Sequence, residues 1–149
     1  MDLELAYDRI YRYAYFRLGE RAAAEDITQE AFLRFLGKYG QLREYDMRIL
    51  YTIARNLCID EYRRIKPEAL PEETAEVPGL SVDGQEERIL VRDALSKLPA
   101  EERELLLLRY VNDESPGTIG KLLKLSRFAV YRRLKTAEEH LRKEMEAEG

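Results

Sequence analysis

Residues 115–134 read SPGTIGKLLKLSRFAVYRRL, and this stretch decides the fold of the C-terminal part of the chain. Ser115 and Pro116 form a typical helix start, with a capping hydroxyl before a proline at the first helical position. A three-residue connection follows, in which Lys124 or the next residue stands where such turns usually carry glycine, and Ser126 caps a second helix. Two short helices joined so closely predict a helix-turn-helix unit. Its expected core residues are Ile119, Leu122, Leu123, Val130 and Leu134.

The outward face of the second helix is basic and aromatic. A projection at 3.6 residues per turn places Phe128, Arg132, Lys135 and Thr136 away from the core, with Tyr131 at the margin. Between residues 116 and 137 the chain has six bases and no acid: Lys121, Lys124, Arg127, Arg132, Arg133 and Lys135. Such a face is typical of a helix that binds the major groove of duplex DNA. The alternative is a plain helical hairpin with a solvated basic face.

An acidic segment precedes this unit and divides the chain. Between residues 67 and 87 there are seven acids and no base: Glu68, Glu72, Glu73, Glu76, Asp83, Glu86 and Glu87. Prolines and glycines interrupt any helical period there, so we predict an exposed, flexible acidic linker over residues 67–85. It separates a first domain, residues 1–66, from a second domain, residues 86–149. No alternating strand pattern occurs, and the predicted fold class is all-α, with two small helical domains.

Both domains show helical periodicity in their apolar residues. In the first domain we predict helices over residues 3–18, 22–36 and about 50–66, with a polar loop between the second and third. In the second domain we predict helices over residues 86–97, 100–111, 116–124 and 127–146.

The second predicted helix has an outward face that combines acids, an amide and an exposed leucine. Its residues are Asp26, Gln29, Glu30 and Leu33. DNA phosphates would repel the carboxylates, so a protein partner with basic residues suits this face better. The alternative is ordinary solvation, since acids are favourable near a helix N-terminus.

The third predicted helix, LYTIARNLCIDEYRRIK at residues 50–66, carries aromatic rings and cations on one stripe. Its core side holds apolar residues, whereas the residues of the outward stripe and its neighbours are Tyr51, Arg55, Asn56, Tyr62, Arg63 and Lys66. Rings stack on unpaired bases while cations follow the backbone, so this stripe favours single-stranded nucleic acid. The alternative is that the tyrosines pack against a neighbouring helix.

Composition limits the remaining possibilities. The chain has 149 residues, of which 36% are charged and 45% hydrophobic, and its net charge is -4. No apolar run approaches the roughly 18 residues of a membrane helix, and the N-terminal stretch lacks a signal-peptide pattern, so we predict a cytoplasmic protein without membrane insertion. One cysteine, Cys58, and one histidine, His140, supply neither a catalytic constellation nor a metal site. We therefore predict no enzymatic activity, no metal and no cofactor.

Four stretches, in this order, closely resemble the extracytoplasmic-function sigma factors of bacterial RNA polymerase. They are AEDITQEAFLRFL, LYTIARNLCIDEYRR, LSKLPAEERELLLLRYV and SPGTIGKLLKLSRFAVYRRLKTAEEHLR, and the resemblance covers nearly the whole chain. It implies two helical domains that bind core RNA polymerase, direct it to promoters and help to open the strands. The acidic segment is similar to the family's connector between the two domains.

The resemblance also implies roles for individual residues. It assigns polymerase binding to the acidic face of the second helix, namely Asp26, Gln29, Glu30 and Leu33. It assigns the minus-ten element, including the unpaired non-template strand, to residues of the loop at 37–48 and of the third helix: Tyr39, Arg43, Arg48, Tyr51, Arg55, Asn56, Tyr62, Arg63 and Arg64. It assigns the minus-thirty-five duplex to Arg127, Phe128, Tyr131, Arg132, Arg133, Lys135 and Thr136.

Two rival functions stay open at the level of the sequence. A stand-alone helix-turn-helix repressor or activator would usually be a dimer and would leave the acidic face without a role. An inactive, sigma-like decoy would bind polymerase or a regulator without starting transcription. An anti-sigma protein is a further candidate partner, because such proteins often hold members of the family inactive.

Overall fold

The computed structural model describes residues 2–43, 47–65, 91 and 93–148. The predicted linker, residues 67–85, lies outside the described residues, as do residues 86–90 at the expected start of the second domain and residues 44–46 of the polar loop.

Three helices form the first domain, as the periodicity predicts. They are α1 (Leu3–Leu18), α2 (Arg21–Tyr39) and α3 (Met47–Ile65). Asp2 caps α1 by accepting a 2.8 Å hydrogen bond from the backbone N–H of Glu4. α2 continues three residues beyond its predicted end and stops at Gly40, whose φ of 81° is a backbone conformation that favours glycine. The first part of the expected loop is therefore the last turn of α2.

The second domain is also helical. Residues 93–96 are helical, and α4 (Ala100–Leu106) runs directly into a π-helical turn, Leu107–Val111. The π turn ends where Asn112 donates its backbone N–H to the Leu107 carbonyl at 3.0 Å. Two further helices follow, α5 (Pro116–Leu123) and α6 (Arg127–Glu148). No strand occurs among the described residues, so the all-α prediction is confirmed.

The two domains pack directly against each other and share one hydrophobic cluster. First-domain residues such as Ile10, Tyr13 and Leu50 belong to the same buried cluster as Leu108 and Ile119 of the second domain. A smaller cluster inside the first domain surrounds the buried Cys58. The sequence predicts two helical domains joined by a linker and leaves their relative arrangement open; in this structure α1 and α3 lie against the π turn and α5.

Candidate nucleic-acid interface

The helix-turn-helix unit has the caps that its sequence predicts. The Ser115 hydroxyl accepts a 3.1 Å hydrogen bond from the Thr118 backbone N–H at the start of α5. Ser126 does the same for the Ala129 N–H at the start of α6, also at 3.1 Å. Between the two helices, Lys124 adopts a left-handed conformation with φ 60° and ψ 45°. This is the conformation for which the turn usually carries glycine, so the sequence correctly locates the exceptional residue.

Gly120 allows the two helices to approach. Its carbonyl accepts the Leu125 backbone N–H at 2.8 Å, which closes the turn. A Cβ atom on Gly120 would lie only 2.6 Å from the Leu125 carbonyl oxygen and 3.5 Å from a methyl group of Val130. Because backbone atoms cannot move aside as a flexible side chain can, only glycine fits here without a shift of the turn.

The predicted recognition face of α6 is solvent-exposed along its whole length. Phe128 is 82% and Tyr131 55% exposed, although both are large and hydrophobic. The inner positions Val130, Leu134 and Ala137 are buried, as the projection requires. All residues assigned to the minus-thirty-five duplex are exposed: Arg127, Phe128, Tyr131, Arg132, Arg133, Lys135 and Thr136. The whole predicted set is therefore accessible to solvent, with Arg133 paired to Glu101 of the same domain.

The acidic face of α2 is accessible as well. Asp26 and Gln29 are exposed, and Leu33 is 68% exposed beside them. Glu30 is half-buried and accepts a 3.0 Å bond from the Arg34 guanidinium one turn later. An exposed leucine among carboxylates and an amide can bind an apolar and basic surface of another protein.

The residues assigned to the minus-ten element are divided between surface and interior. Tyr39 is exposed at the end of α2, where Lys38 lies 5.4 Å from its ring centroid. Tyr62 is half-buried. The Glu61 carboxylate holds Arg64 at 2.5 Å and 3.2 Å. The exposed cations and amide of this set are Arg43, Arg48, Arg55, Asn56, Arg63 and Arg64.

Tyr51 departs from the prediction, because it does not lie on an outward face. Its side chain is fully buried, and its hydroxyl donates a hydrogen bond to the Glu114 carboxylate and accepts one from Asn112 Nδ2 at 2.8 Å. Burial, followed by the charge of Glu114, raises the pKa of the Tyr51 hydroxyl well above its usual value. At this position of α3, residues Asn112 and Glu114 of the second domain contact the side chain. This tyrosine therefore packs against a neighbouring element, which is the alternative that the sequence left open.

Comparison with known proteins places both domains in one family. The Sigma-70 region 2 model matches residues 4–67, and the Sigma-70 region 4 model matches residues 88–141. The ECF RNA polymerase sigma factor SigW of Bacillus subtilis is 32% identical to this chain, over 96% of the chain and 86% of SigW. This chain belongs to the ECF sigma factors. Other relatives are the ECF sigma factor BldN of Streptomyces coelicolor, 30% identical over 87% of this chain and 54% of BldN, and SigL of Mycobacterium tuberculosis H37Rv, 32% identical over 89% and 80%.

In this sigma factor, sequence reasoning missed a set of polar residues between region 2 and region 4. Glu104 and Glu114 are both buried, although charged residues are rarely so. Arg9 and Arg17 of α1 bind these two carboxylates. The sequence carries one signal that Glu104 faces inward. It lies on a helix directly before four leucines and four residues before Leu108, which is fully buried, so the two residues share one side of the helix.

The sigma factor's thiol and imidazole lie apart from the predicted binding faces. Burial raises the pKa of the Cys58 thiol to about 12, so the thiol stays protonated and unreactive in the folded chain. His140 is exposed on α6, with Nδ1 2.5 Å from the Glu102 carboxylate. Within the described ranges no three His, Cys, Asp or Glu side chains are grouped to hold a metal ion. The helices that the structure describes include none long and apolar enough to cross a membrane.

Proposed function

We propose that this sigma factor divides promoter recognition among three faces on different helices. Members of its family direct core RNA polymerase to specific promoters and initiate transcription there. In the proposed division α2 docks on core polymerase, α6 binds the upstream duplex, and α3 with the preceding loop binds the opened downstream strand. The observation that supports the proposal is that all predicted minus-thirty-five residues are exposed on a single helix.

The chemistry of α6 supports binding of the minus-thirty-five duplex. Arginine and lysine can reach guanine edges in the major groove, while the remaining cations and the start of the helix contact phosphates. Arg132 and Lys135 are exposed three residues apart, so they lie side by side on the helix surface. Phe128 and Tyr131 add apolar area for contacts with thymine methyl groups and sugars.

The chemistry of α2 supports docking on a protein surface. Its carboxylates disfavour DNA, whereas Leu33 offers an exposed apolar contact that a partner can bury. Because Asp26 and Gln29 flank this leucine, the complementary surface on core polymerase should combine an apolar recess with basic side chains.

The cations of α3 and the loop support contact with the melted minus-ten strand. Arg48, Arg55 and Arg63 are exposed along one helix and can follow a single phosphate backbone. Opening the duplex costs a few kcal/mol per unstacked base, which stacking and pocket contacts must offset. Tyr39 is exposed and available for such stacking, whereas Tyr51 becomes available only when the second domain moves away from it.

We further propose a cytoplasmic, non-catalytic role. The thiol of Cys58 is buried and His140 is paired with Glu102, so neither is placed to act as a nucleophile or a general base. The exposed docking face of α2 is also a surface that an anti-sigma protein could cover.

Two substitutions with matched controls test the division of labour. Arg132→Ala should weaken promoter binding by the polymerase holoenzyme by about 1–3 kcal/mol, roughly five- to hundredfold, and leave core binding unchanged. Asp26→Arg should weaken core binding and leave contacts with the upstream element unchanged once saturating core is present. Arg142→Ala on the same helix and Glu25→Arg beside the acidic face are the controls, since both positions are exposed outside the assigned sets.

The measurements are core affinity by fluorescence anisotropy and promoter affinity and run-off transcription with reconstituted holoenzyme. Specific promoter binding should require core polymerase, which separates a sigma factor from a stand-alone regulator. A decoy would bind core and yield no defined transcript. If Arg132→Ala and Asp26→Arg damage the same step, the proposed division is wrong.

A further inference from the structure

Gly117 is a glycine of α5 that the backbone does not require. It is the second residue of that helix, after the capping Ser115 and Pro116. Its φ is not positive, unlike those of Gly19 and Gly40, so a side chain here would not strain the backbone. Glycine weakens a helix relative to alanine, because it loses more conformational freedom on folding. A reason for glycine at this position must therefore lie in its surroundings.

The space beside Gly117 is occupied by the guanidinium group of Arg127. A Cβ atom on Gly117 would lie 3.0 Å from Arg127 Nη2 and 3.9 Å from Arg127 Cζ, with Ser115 Oγ at 3.8 Å. Gly120 differs from Gly117, because there the nearest atom is a backbone oxygen. Arg127 is the first residue of α6, so its side chain reaches from one helix of the helix-turn-helix unit to the first turn of the other.

No attraction within the described residues accounts for this position of the Arg127 guanidinium. It makes no hydrogen bond or ion pair with any of them, whereas Arg133 of the same helix is bound to Glu101. No acid occurs between residues 116 and 137, and the positive end of the α5 dipole disfavours a cation at the first turn. The space that Gly117 leaves therefore sets the position, and the N–H donors of Arg127 stay available to a ligand.

The place of this cation suits a phosphate of the DNA duplex. When the second helix of such a unit enters the major groove, the first helix crosses the DNA backbone. A guanidinium on the first turn of α5 then lies beside that backbone, away from the base edges that the exposed Arg132 and Lys135 can reach. The planar fork of arginine matches two phosphate oxygens, and a side chain that is already in place loses less freedom on binding.

We propose that Gly117 is a positioning residue for duplex binding, whose missing side chain makes room for Arg127 across α5, where the guanidinium contacts a phosphate beside the minus-thirty-five element. The inference rests on the proposed function, because it takes α6 as the helix that binds this duplex. Arg127 then fixes the position of α6 on the DNA backbone, whereas Arg132 and Lys135 face the bases. Gly117 touches no DNA in this arrangement and acts only through Arg127.

Gly117→Leu tests this role in reconstituted holoenzyme on a promoter that the wild-type chain transcribes. Leucine fills the space of the guanidinium without a change of charge and is a better helix former than glycine, so urea denaturation should show no loss of stability. Promoter affinity should fall roughly eightfold at about 0.1 M salt, since one phosphate contact scales with salt concentration to the power of about -0.9. The plot of log affinity against log salt should become shallower by about 0.9. Arg127→Ala should give the same loss and the same slope.

Two double-mutant cycles separate positioning from a general disturbance of the helix-turn-helix unit. In the Arg127→Ala background, Gly117→Leu should cause no further loss, because the side chain that it displaces is already absent. The control is the Lys135→Ala background, where Gly117→Leu should again cause a loss of roughly eightfold, because Lys135 lies about two turns further along α6. If leucine disturbs folding, Gly117→Ala takes its place, with a smaller loss and the same coupling to Arg127.

A duplex with a substituted minus-thirty-five element distinguishes a phosphate contact from base recognition. Arg127→Ala should weaken holoenzyme binding to the promoter and to the substituted duplex by the same factor, because a phosphate is present in both. Lys135→Ala should weaken binding to the promoter more than binding to the substituted duplex.

Three results would overturn the positioning role. They are wild-type affinity and salt slope for Gly117→Leu, equal losses from Gly117→Leu with and without the Arg127 side chain, and a loss in Arg127→Ala that is confined to the promoter sequence. Run-off transcription by the wild-type chain and core polymerase tests the proposed function separately. A chain that directs transcription and loses promoter affinity on Lys135→Ala, but gives one of these results, refutes the positioning role alone. A chain that directs no transcription refutes the function.

Discussion

Gly120→Ala should destabilise the second domain, although alanine stabilises most helices relative to glycine. In an unhindered helix interior the exchange gains about 0.5–1 kcal/mol. At residue 120 the new Cβ lies 2.6 Å from the Leu125 carbonyl oxygen, well inside any normal contact, so the turn must move outward. Overpacking of this kind costs about 1–3 kcal/mol, and weakening the 2.8 Å bond from Leu125 N–H to the Gly120 carbonyl adds about 1 kcal/mol. The expected net loss is about 1–3 kcal/mol.

Gly37→Ala in α2 is the matched control for this change. A Cβ at residue 37 meets no atom within 4 Å, so the helix propensity of alanine should act alone and stabilise the chain by about 0.5–1 kcal/mol. Urea denaturation followed by circular dichroism measures both variants against the wild type. Opposite signs for the two substitutions are expected. If Gly120→Ala is as stable as Gly37→Ala, the close contact between α5 and the turn is not a feature of the folded chain.

Two further substitutions test the turn and the interior. Lys124→Gly should stabilise the chain by up to about 1 kcal/mol in the same assay, since glycine relieves the left-handed strain. Lys121→Gly inside α5 is the control and should destabilise the chain by about 1 kcal/mol. If both substitutions lower the free energy of unfolding, the left-handed conformation assigned to Lys124 is wrong. Because burial raises the pKa of Cys58 from about 8.5 unfolded to about 12 folded, its contribution to stability is complete below the unfolded pKa and is lost as pH rises towards the folded value. Between pH 9 and 10 this loss approaches about 1.4 kcal/mol per pH unit, and Cys58→Ala should remove it from the slope of unfolding free energy against pH. Equal slopes for the wild type and Cys58→Ala would show that the thiol is accessible to solvent.

The sequence was sufficient for the parts of the fold that depend on local interactions. α1 begins and ends where predicted, and the helix-turn-helix caps at Ser115 and Ser126 act as their residue types indicate. The exposed face of α6 followed from helical periodicity alone, because its core positions and outward positions alternate within one element. Leu33 was also correctly placed at the surface, since the rest of α2 supplies enough apolar residues for the core.

What the sequence did not predict depends on contacts between distant parts of the chain. Tyr51 meets Glu114 across 63 residues, and Tyr13 meets Glu104 across 91. A polar or aromatic residue outside a helix's own apolar stripe is expected to face water unless another domain covers it, and periodicity carries no information about such a cover. For the same reason, the stripe on α3 indicated a nucleic-acid surface and gave no sign of a contact with the second domain.

The π turn at Leu107–Val111 determines the direction in which the residues after it face. A π turn closes its hydrogen bonds one residue later than an α-helix does, so it accommodates a single additional residue within continuous helix. Ordinary α-helical winding of the same number of residues would instead rotate all that follows by about 100° about the axis. Asn112 and Glu114 would then swing past α1 and α3 without any change of their own identity. Among chains with this architecture, nine residues between the two inward acids should therefore be accompanied by a π turn, and eight residues by ordinary α-helical winding.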